Sequence, residues 1–267
     1  MILPLLKYNI KNNRFIFIAI VAVLTMYLSI IISMYDPANV KALETMLEIF
    51  PQELINALGF SNFGTTLLSF ISGYIYGFLI LIFPIILVIV SNHKMVASLV
   101  DKGSMAYLLS SSNSRYKVIF TQALTSILII VVFFILITII GIASCELMFP
   151  GDLDISMFIK LNAYVFILYF ATSSIVFFGS SIATESKYSL AIGVSFPISF
   201  LLIQMIANVG DKFEWLENLT LYTLFNPQRL IEGDTNFIFM AIGILSAIAI
   251  IFYSASIITF NKRNLYL

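Results

Sequence analysis

The side chains that most often carry chemistry are scarce in this chain. It has one histidine, His93, and one cysteine, Cys145, in 267 residues. A lone thiol forms neither an internal disulfide nor a thiolate metal site. A lone imidazole offers little for acid–base work. His93 lies beside Lys94 and reads as a lipid-headgroup contact, while Cys145 reads as inert. The six long apolar stretches contain no Asp, Glu, Lys, Arg or His. An intramembrane serine protease needs a base within reach of its nucleophile, and a metalloprotease needs several nitrogen or oxygen ligands; the sequence offers neither. Ion-coupled carriers commonly use ionisable residues inside the bilayer. Their absence leaves such a carrier only a sodium site built of carbonyls. No Gly-x-x-x-x-Gly-Lys-Ser/Thr run is present to cradle a phosphate. The expectation is a chain that is not an enzyme, holds no cofactor or metal, and hydrolyses no ATP alone.

What remains are polar or conformationally special residues inside apolar sequence. Ser69, Gly73 and Gly77 recur every fourth residue. Gly73–Gly77 is a Gly-x-x-x-Gly, which permits close helix packing. Pro84 and Pro197 interrupt the second and fifth apolar stretches. These are corresponding helices if the chain is two halves of three spans, and paired interruptions point towards a transport pathway; a pair of tolerated kinks is the plainer reading. Gln204 and Asn208, one turn apart, either line a cavity or hydrogen-bond a neighbouring helix.

The elements that must position these residues follow from composition. Hydrophobic residues make up 60% of the chain and charged ones 10%, against roughly 25% charged in a soluble domain. That excludes a soluble globule, a disordered tail and a nucleic-acid-binding domain. A net charge of zero gives no field to draw in a polyanion. A helix of about 20 apolar residues crosses roughly 30 Å of hydrocarbon. Residues 15–34, 67–90, 118–143, 161–183, 188–209 and 237–260 qualify. The expected fold is an all-α membrane protein, one transmembrane domain over 1–267 with six spans. Residues 1–14, apolar then basic, read as a short interfacial helix on the inner leaflet. The first span is followed by Ser-Met-Tyr-Asp-Pro, without a small-x-small cleavage site, and reads as uncleaved.

Basic residues give the orientation. Lys7, Lys11, Arg14, Lys94, Lys102, Arg115, Lys117, Lys187, Lys262 and Arg263 fall on one side. Only Lys41, Lys160, Lys212 and Arg229 fall on the other. The positive-inside rule therefore places both termini in the cytoplasm. Outside, Leu43, Met46, Leu47 and Phe50 show the spacing of an amphipathic helix, and Pro51 opens a second short helix, Gln52–Leu58, which Gly59 ends. Residues 210–236 are too apolar for a free loop and read as a membrane-dipping or interfacial hairpin anchored by Trp215. Asn218-Leu219-Thr220 matches a glycosylation sequon, discounted for a chain of bacterial flavour. Inside, the connection at 184–187 is short, and the loop at 91–117 is the single large feature.

Within that loop, the run Lys102-Gly-Ser-Met-Ala-Tyr-Leu-Leu-Ser-Ser-Ser-Asn-Ser-Arg115 resembles the coupling segment of type-2 ATP-binding-cassette (ABC) exporter permeases. Asp101, Gly103, Ser104, Tyr107, Leu108, Leu109, Ser110, Ser114 and Arg115 carry the match. Ser112 stands where proline is usual. The ending Phe260-Asn-Lys-Arg-Asn-Leu265 is similar to the family's Phe-x-x-Arg-Asp-Leu, with Asn264 in place of the acid. The six-span count and the N-terminal surface helix fit as well.

The resemblance implies a permease subunit in a bacterial plasma membrane, paired with a second permease as homodimer or heterodimer. It implies two copies of a separate ABC ATPase, which would bind ATP and Mg and drive alternating access. Lys102, Gly103, Ser104, Met105, Tyr107, Leu108 and Arg115 are the expected coupling residues. The Met105, Leu108 and Leu109 side chains make an apolar face that calls for a partner. The partners expected are thus the ATPase, the second permease and membrane lipid, with no nucleic acid. An aromatic-rich membrane domain, with 25 Phe and 13 Tyr, suits an apolar or amphipathic cargo: a drug, a lipid-like molecule or a membrane-active peptide. The alternatives are a non-transporting sensor or immunity partner of an ABC ATPase, and the ion-coupled carrier.

Overall fold

The computed structural model describes residues 1–36, 49, 51–58, 66–110 and 113–263. The expected helix ending at Phe50, its neighbour's stop at Gly59, and the positions Ser112, Asn264 and Leu265 lie outside them. Every regular element among the described residues is helical. Six helices are long and apolar enough to cross a membrane, as in a multi-pass membrane protein. They are α1 (Leu3–Ser33), α3 (Leu67–Asp101), α5 (Arg115–Met148), α6 (Ile155–Ile182), α7 (Ser186–Ala207) and α9 (Thr235–Lys262). Three short helices join them: α2 (Gln52–Ala57), α4 (Ser104–Ser110) and α8 (Pro227–Glu232). Two 3₁₀ segments, Asp211–Leu219 and Tyr222–Leu224, link α7 to α8.

The helices begin where the sequence supplies caps. Ser114 accepts the Lys117 N–H at 3.3 Å, Asp154 the Met157 N–H at 2.9 Å, and Asp234 the Phe237 N–H at 3.2 Å. Each satisfies an orphan donor of a first turn. Pro4 sits in the first turn of α1, where its missing N–H costs nothing. At the start of α3, Thr66 and Ser69 cap one another, each accepting the other's backbone N–H at 3.2 Å.

α6 is the hub. Two-thirds of its apolar window (67%) is buried, against 22% for α1, α7 and α9, and it packs on α3, α5, α7 and α9. The helices run alternately up and down. At one end the Ile2 N–H donates to Thr121 Oγ1 at 2.9 Å and Arg115 donates to the Arg263 carbonyl at 3.0 Å. Ile2 and Arg263, near the two ends of the described chain, therefore stand at the same end of the bundle. At the other end, Tyr35 packs its ring on Phe70 and Phe149, with centroids 5.4 and 5.3 Å apart.

Two boundaries differ from the sequence expectation. Residues 1–14 do not form a separate helix, since α1 runs unbroken from Leu3 to Ser33. Its first turns pack on α5 through buried Asn9 and Asn13, and Asn9 Nδ2 donates to Gln122 Oε1. The 91–117 segment is mostly helix. α3 continues to Met95, kinks at Val96 (φ −118°, ψ −72°) and ends at Asp101. Gly103, at φ +69°, turns the chain into α4, a left-handed conformation that glycine adopts without strain.

Candidate functional site

At the end of the bundle opposite the chain termini, a cavity of about 620 Å³ opens between α3, α7, the 3₁₀ segments and the start of α9. Gly73, Gly77, Gln204 and Asn208 all line it. Four residues singled out separately in the sequence thus share one wall. α3 presents its share from an unusual backbone, an eight-residue π-helix over Ser72–Leu79. With i→i+5 hydrogen bonds the helix is wider than an α-helix. Ser72 with Tyr76, and Gly73 with Gly77 and Leu81, fall in rows along the cavity. π-Helical turns are rare and concentrate at functional sites.

The amides of α7 are set by the segment that follows. Gln204 Nε2 donates to Asn208 Oδ1 at 2.9 Å, and Thr223 Oγ1 lies 2.7 Å from both Gln204 Oε1 and the Glu217 carbonyl, either of which can accept its one proton. So the pair both lines a cavity and hydrogen-bonds a neighbouring element. Residues 211–232 do not hang free. Tyr222 and Phe225 are buried, the Tyr164 hydroxyl donates to the Leu224 carbonyl, and Thr220 donates to the Phe200 carbonyl at 2.9 Å. Trp215 remains 62% exposed at the surface of this cap.

The other expected residues lie elsewhere. Ser69 caps α3 and is not on the cavity wall. Neither Pro84 nor Pro197 lines it; both are buried within their helices. A proline disrupts hydrogen bonding to the carbonyls of the preceding turn, and the Tyr169 hydroxyl donates to one of these, Leu81 O, at 2.6 Å. Neighbouring side chains make intramembrane prolines tolerable in this way.

Halfway towards the other end, four helices meet at a polar cluster that sequence reasoning missed. Asn92 of α3, Ser126 of α5, Ser173 of α6 and Tyr253 of α9 are all buried. Asn92 Nδ2 donates to Ser173 Oγ at 3.0 Å, and Ser126 Oγ donates to Asn92 Oδ1 at 2.6 Å. The Tyr253 hydroxyl donates to Ser173 Oγ and lies within hydrogen-bond reach of Ser126 Oγ, each at 3.1 Å. Nothing in the sequence marked it, because serine occurs freely in apolar helices and Asn92 fell just past the second span. Close helix contact was sought at Gly73–Gly77. Tight approaches occur at other glycines: a Cβ at Gly179 would meet Ile192 at 2.6 Å, and one at Gly141 would meet the Phe158 ring at 2.6 Å.

The resemblance-bearing segment stands at the end of the bundle that holds the termini. In α4, Met105 is fully buried, and Leu108 and Leu109 pack on the core. The expectation that this apolar face calls for a partner is therefore corrected for Met105, which the chain itself covers, while Leu108 and Leu109 are covered only in part. What faces outward is Tyr107, 82% exposed, with Lys102 and Ser110; Ser104 and Gly103 are half-buried. Arg115 is drawn inward onto the Arg263 carbonyl. Arg263 in turn donates to Ser181 O and, at 3.0 Å, to Ala183 O, closing the free carbonyls at the end of α6. Burial holds the Arg263 guanidinium below its ordinary pKa. Arg115 and Arg263, 148 residues apart in sequence, are thereby bonded to each other. No family model, curated relative or solved structure matches this chain.

Proposed function

We propose that this chain is the membrane-spanning subunit of an ATP-driven exporter of the type-2 ABC class, in a bacterial plasma membrane with both termini cytoplasmic. A separate ATPase, in two copies, would bind ATP and Mg, and a second permease subunit would complete the assembly. The observation that carries the reading is the run Asp101–Arg115. Its short helix α4 stands beyond the last turn of α3 and presents Tyr107 outward, and Arg115, at the start of α5, is tied to the Arg263 carbonyl. The uncharged spans support it too, since they leave energy coupling to a partner. The cavity walled by Gly73, Gly77, Gln204 and Asn208 is the corresponding cargo site, and alternating access would open it to each side in turn.

The test is to co-express the chain with ABC ATPases of its host, purify any complex that forms and reconstitute it in proteoliposomes. ATP-dependent movement of an amphipathic dye, lost when this chain is left out, is the expected result. A stable complex that hydrolyses ATP but moves no dye or lipid would favour a sensor or immunity role. Failure to associate with any ABC ATPase would overturn the reading.

A further inference from the structure

We infer that an exposed stripe of α1 carrying Lys7, Lys11 and Arg14 is a binding site for an anionic phospholipid of the leaflet in which α1 begins. The proposed topology makes that the inner leaflet; the binding itself needs only this chain in a bilayer and not the exporter reading. Leu3, Lys7, Lys11, Arg14 and Ile18 follow one another at spacings of four, four, three and four, so they share one face of the helix. All five are exposed, whereas Leu5, Asn9 and Asn13, on the opposite face, are buried. Burial of that opposite face fixes the rotation of α1 and turns the stripe away from the bundle.

The charge on this stripe has no counterpart in the chain. Residues 1–35 contain no Asp or Glu. Among the described residues none of the three cations enters an ion pair, and Glu185, an acid of the same end, is already engaged by Lys187 at 2.8 Å. Three cations on one face therefore call for an anion from outside the chain.

Depth identifies that anion. The charge stops at Arg14, and residues 15–35 contain no Asp, Glu, Lys, Arg or His. Directly below Arg14 come Phe15, 81% exposed, and Ile18, 63% exposed. The helix rises about 10 Å from Lys7 to Arg14, close to the roughly 5–8 Å headgroup layer that flanks the hydrocarbon on each side. The stripe thus presents cations at headgroup depth and apolar side chains beneath them, matching a phosphate and its acyl chain in order. Basic residues beside a spanning helix are drawn to anionic leaflets. A soluble acidic partner would leave Phe15 and Ile18 uncovered, and a zwitterionic lipid brings no net charge. A second copy docked through this face by two-fold symmetry would set the same cations against each other.

The experiment reconstitutes the full chain in phosphatidylcholine bilayers holding a trace of spin-labelled phosphatidylglycerol or spin-labelled phosphatidylcholine. Electron paramagnetic resonance measures the share of each label immobilised on the protein. Phosphatidylglycerol should be preferred about fivefold, equivalent to ~1 kcal/mol. Lys7→Gln with Lys11→Gln and Arg14→Gln should remove at least half of that preference, with helix content unchanged by circular dichroism. The charge-preserving set, Lys7→Arg with Lys11→Arg and Arg14→Lys, should retain it. Equal immobilisation of the two lipids by the native chain overturns the assignment. A preference that survives the glutamine variant places the anionic lipid elsewhere and overturns it too, as does a loss just as large in the charge-preserving variant. None of these outcomes bears on ATPase association, so this inference and the exporter reading can fail separately.

Discussion

Asn92 supplies the one amide of a polar cluster that four helices share. It donates to Ser173 and accepts from Ser126, so three helices share its amide, while Tyr253 brings in the fourth. Interhelical hydrogen bonds in membranes average about 0.6 kcal/mol and reach ~1.7. Asn92→Ala removes both contacts and leaves a void, so it should cost ~1–2 kcal/mol. Tyr253→Phe removes one hydroxyl and should cost about half as much. Thermal melts in detergent should rank the native chain above Tyr253→Phe and Tyr253→Phe above Asn92→Ala; equal melting of all three would show that the cluster is incidental. Cys145 supplies a second check. It is fully buried, so a maleimide should leave it unmodified in the folded chain and react after denaturation. The sequence predicted this residue to be inert. It concealed the polar cluster, because each serine hydroxyl there is also compatible with bonding to its own helix, as the Thr125 and Thr172 hydroxyls do.

At the scale of elements, the pairing of α6 with α7 depends on Gly179. A methyl group there would lie 2.6 Å from Ile192 Cγ2 and 3.2 Å from its Cβ. Because isoleucine is stiff at χ1, the contact is relieved only by moving a helix. Gly179→Ala should destabilise by about 1–3 kcal/mol, the usual cost of overpacking. Gly243, in α9, faces open space, since a methyl group there would have nothing within 4 Å. Gly243→Ala should be neutral or gain about 0.5–1 kcal/mol from helix propensity. Unfolding midpoints in one detergent decide this, and equal effects at both sites would contradict the packing account. The spans themselves were legible, because twenty apolar residues have few other fates. Their ends were not. Helices continue past the hydrocarbon wherever a cap or a packing partner allows it, as α3 does through His93 and Lys94 to Asp101. The π-helix was invisible for a related reason, since its residues are those of any apolar span.

For the whole molecule, the structure brings both termini, α4 and the 184–187 connection to one end, and the cavity to the other. Ten of the fourteen basic residues fall at the first end, the end that the proposed topology places in the cytoplasm by the positive-inside rule. With native Cys145 silent, single cysteines at Tyr107 and Trp215 report the orientation, since both positions are exposed. In intact cells, an impermeant maleimide should label the cysteine at 215 and not that at 107; the reverse pattern would invert the topology. The sequence separated the cavity residues into a glycine stripe and a pair of amides. Only folding joins them, because α3 and α7 meet across more than a hundred residues of chain.

The central claim is that α4 receives an ATPase. Its buried residue, Met105, belongs to the chain's own core, so a change there would confound folding with contact. Tyr107 is free of that difficulty at 82% exposure. The direct measurement is co-purification of the proposed ABC ATPase partner with the Tyr107→Asp variant, scored against membrane level. A charge buried unpaired in an interface costs several kcal/mol, and each 1.4 kcal/mol is a factor of ten in affinity. The account predicts normal insertion with at least a tenfold loss of bound ATPase. A variant that inserts normally and keeps its full complement of ATPase would contradict it.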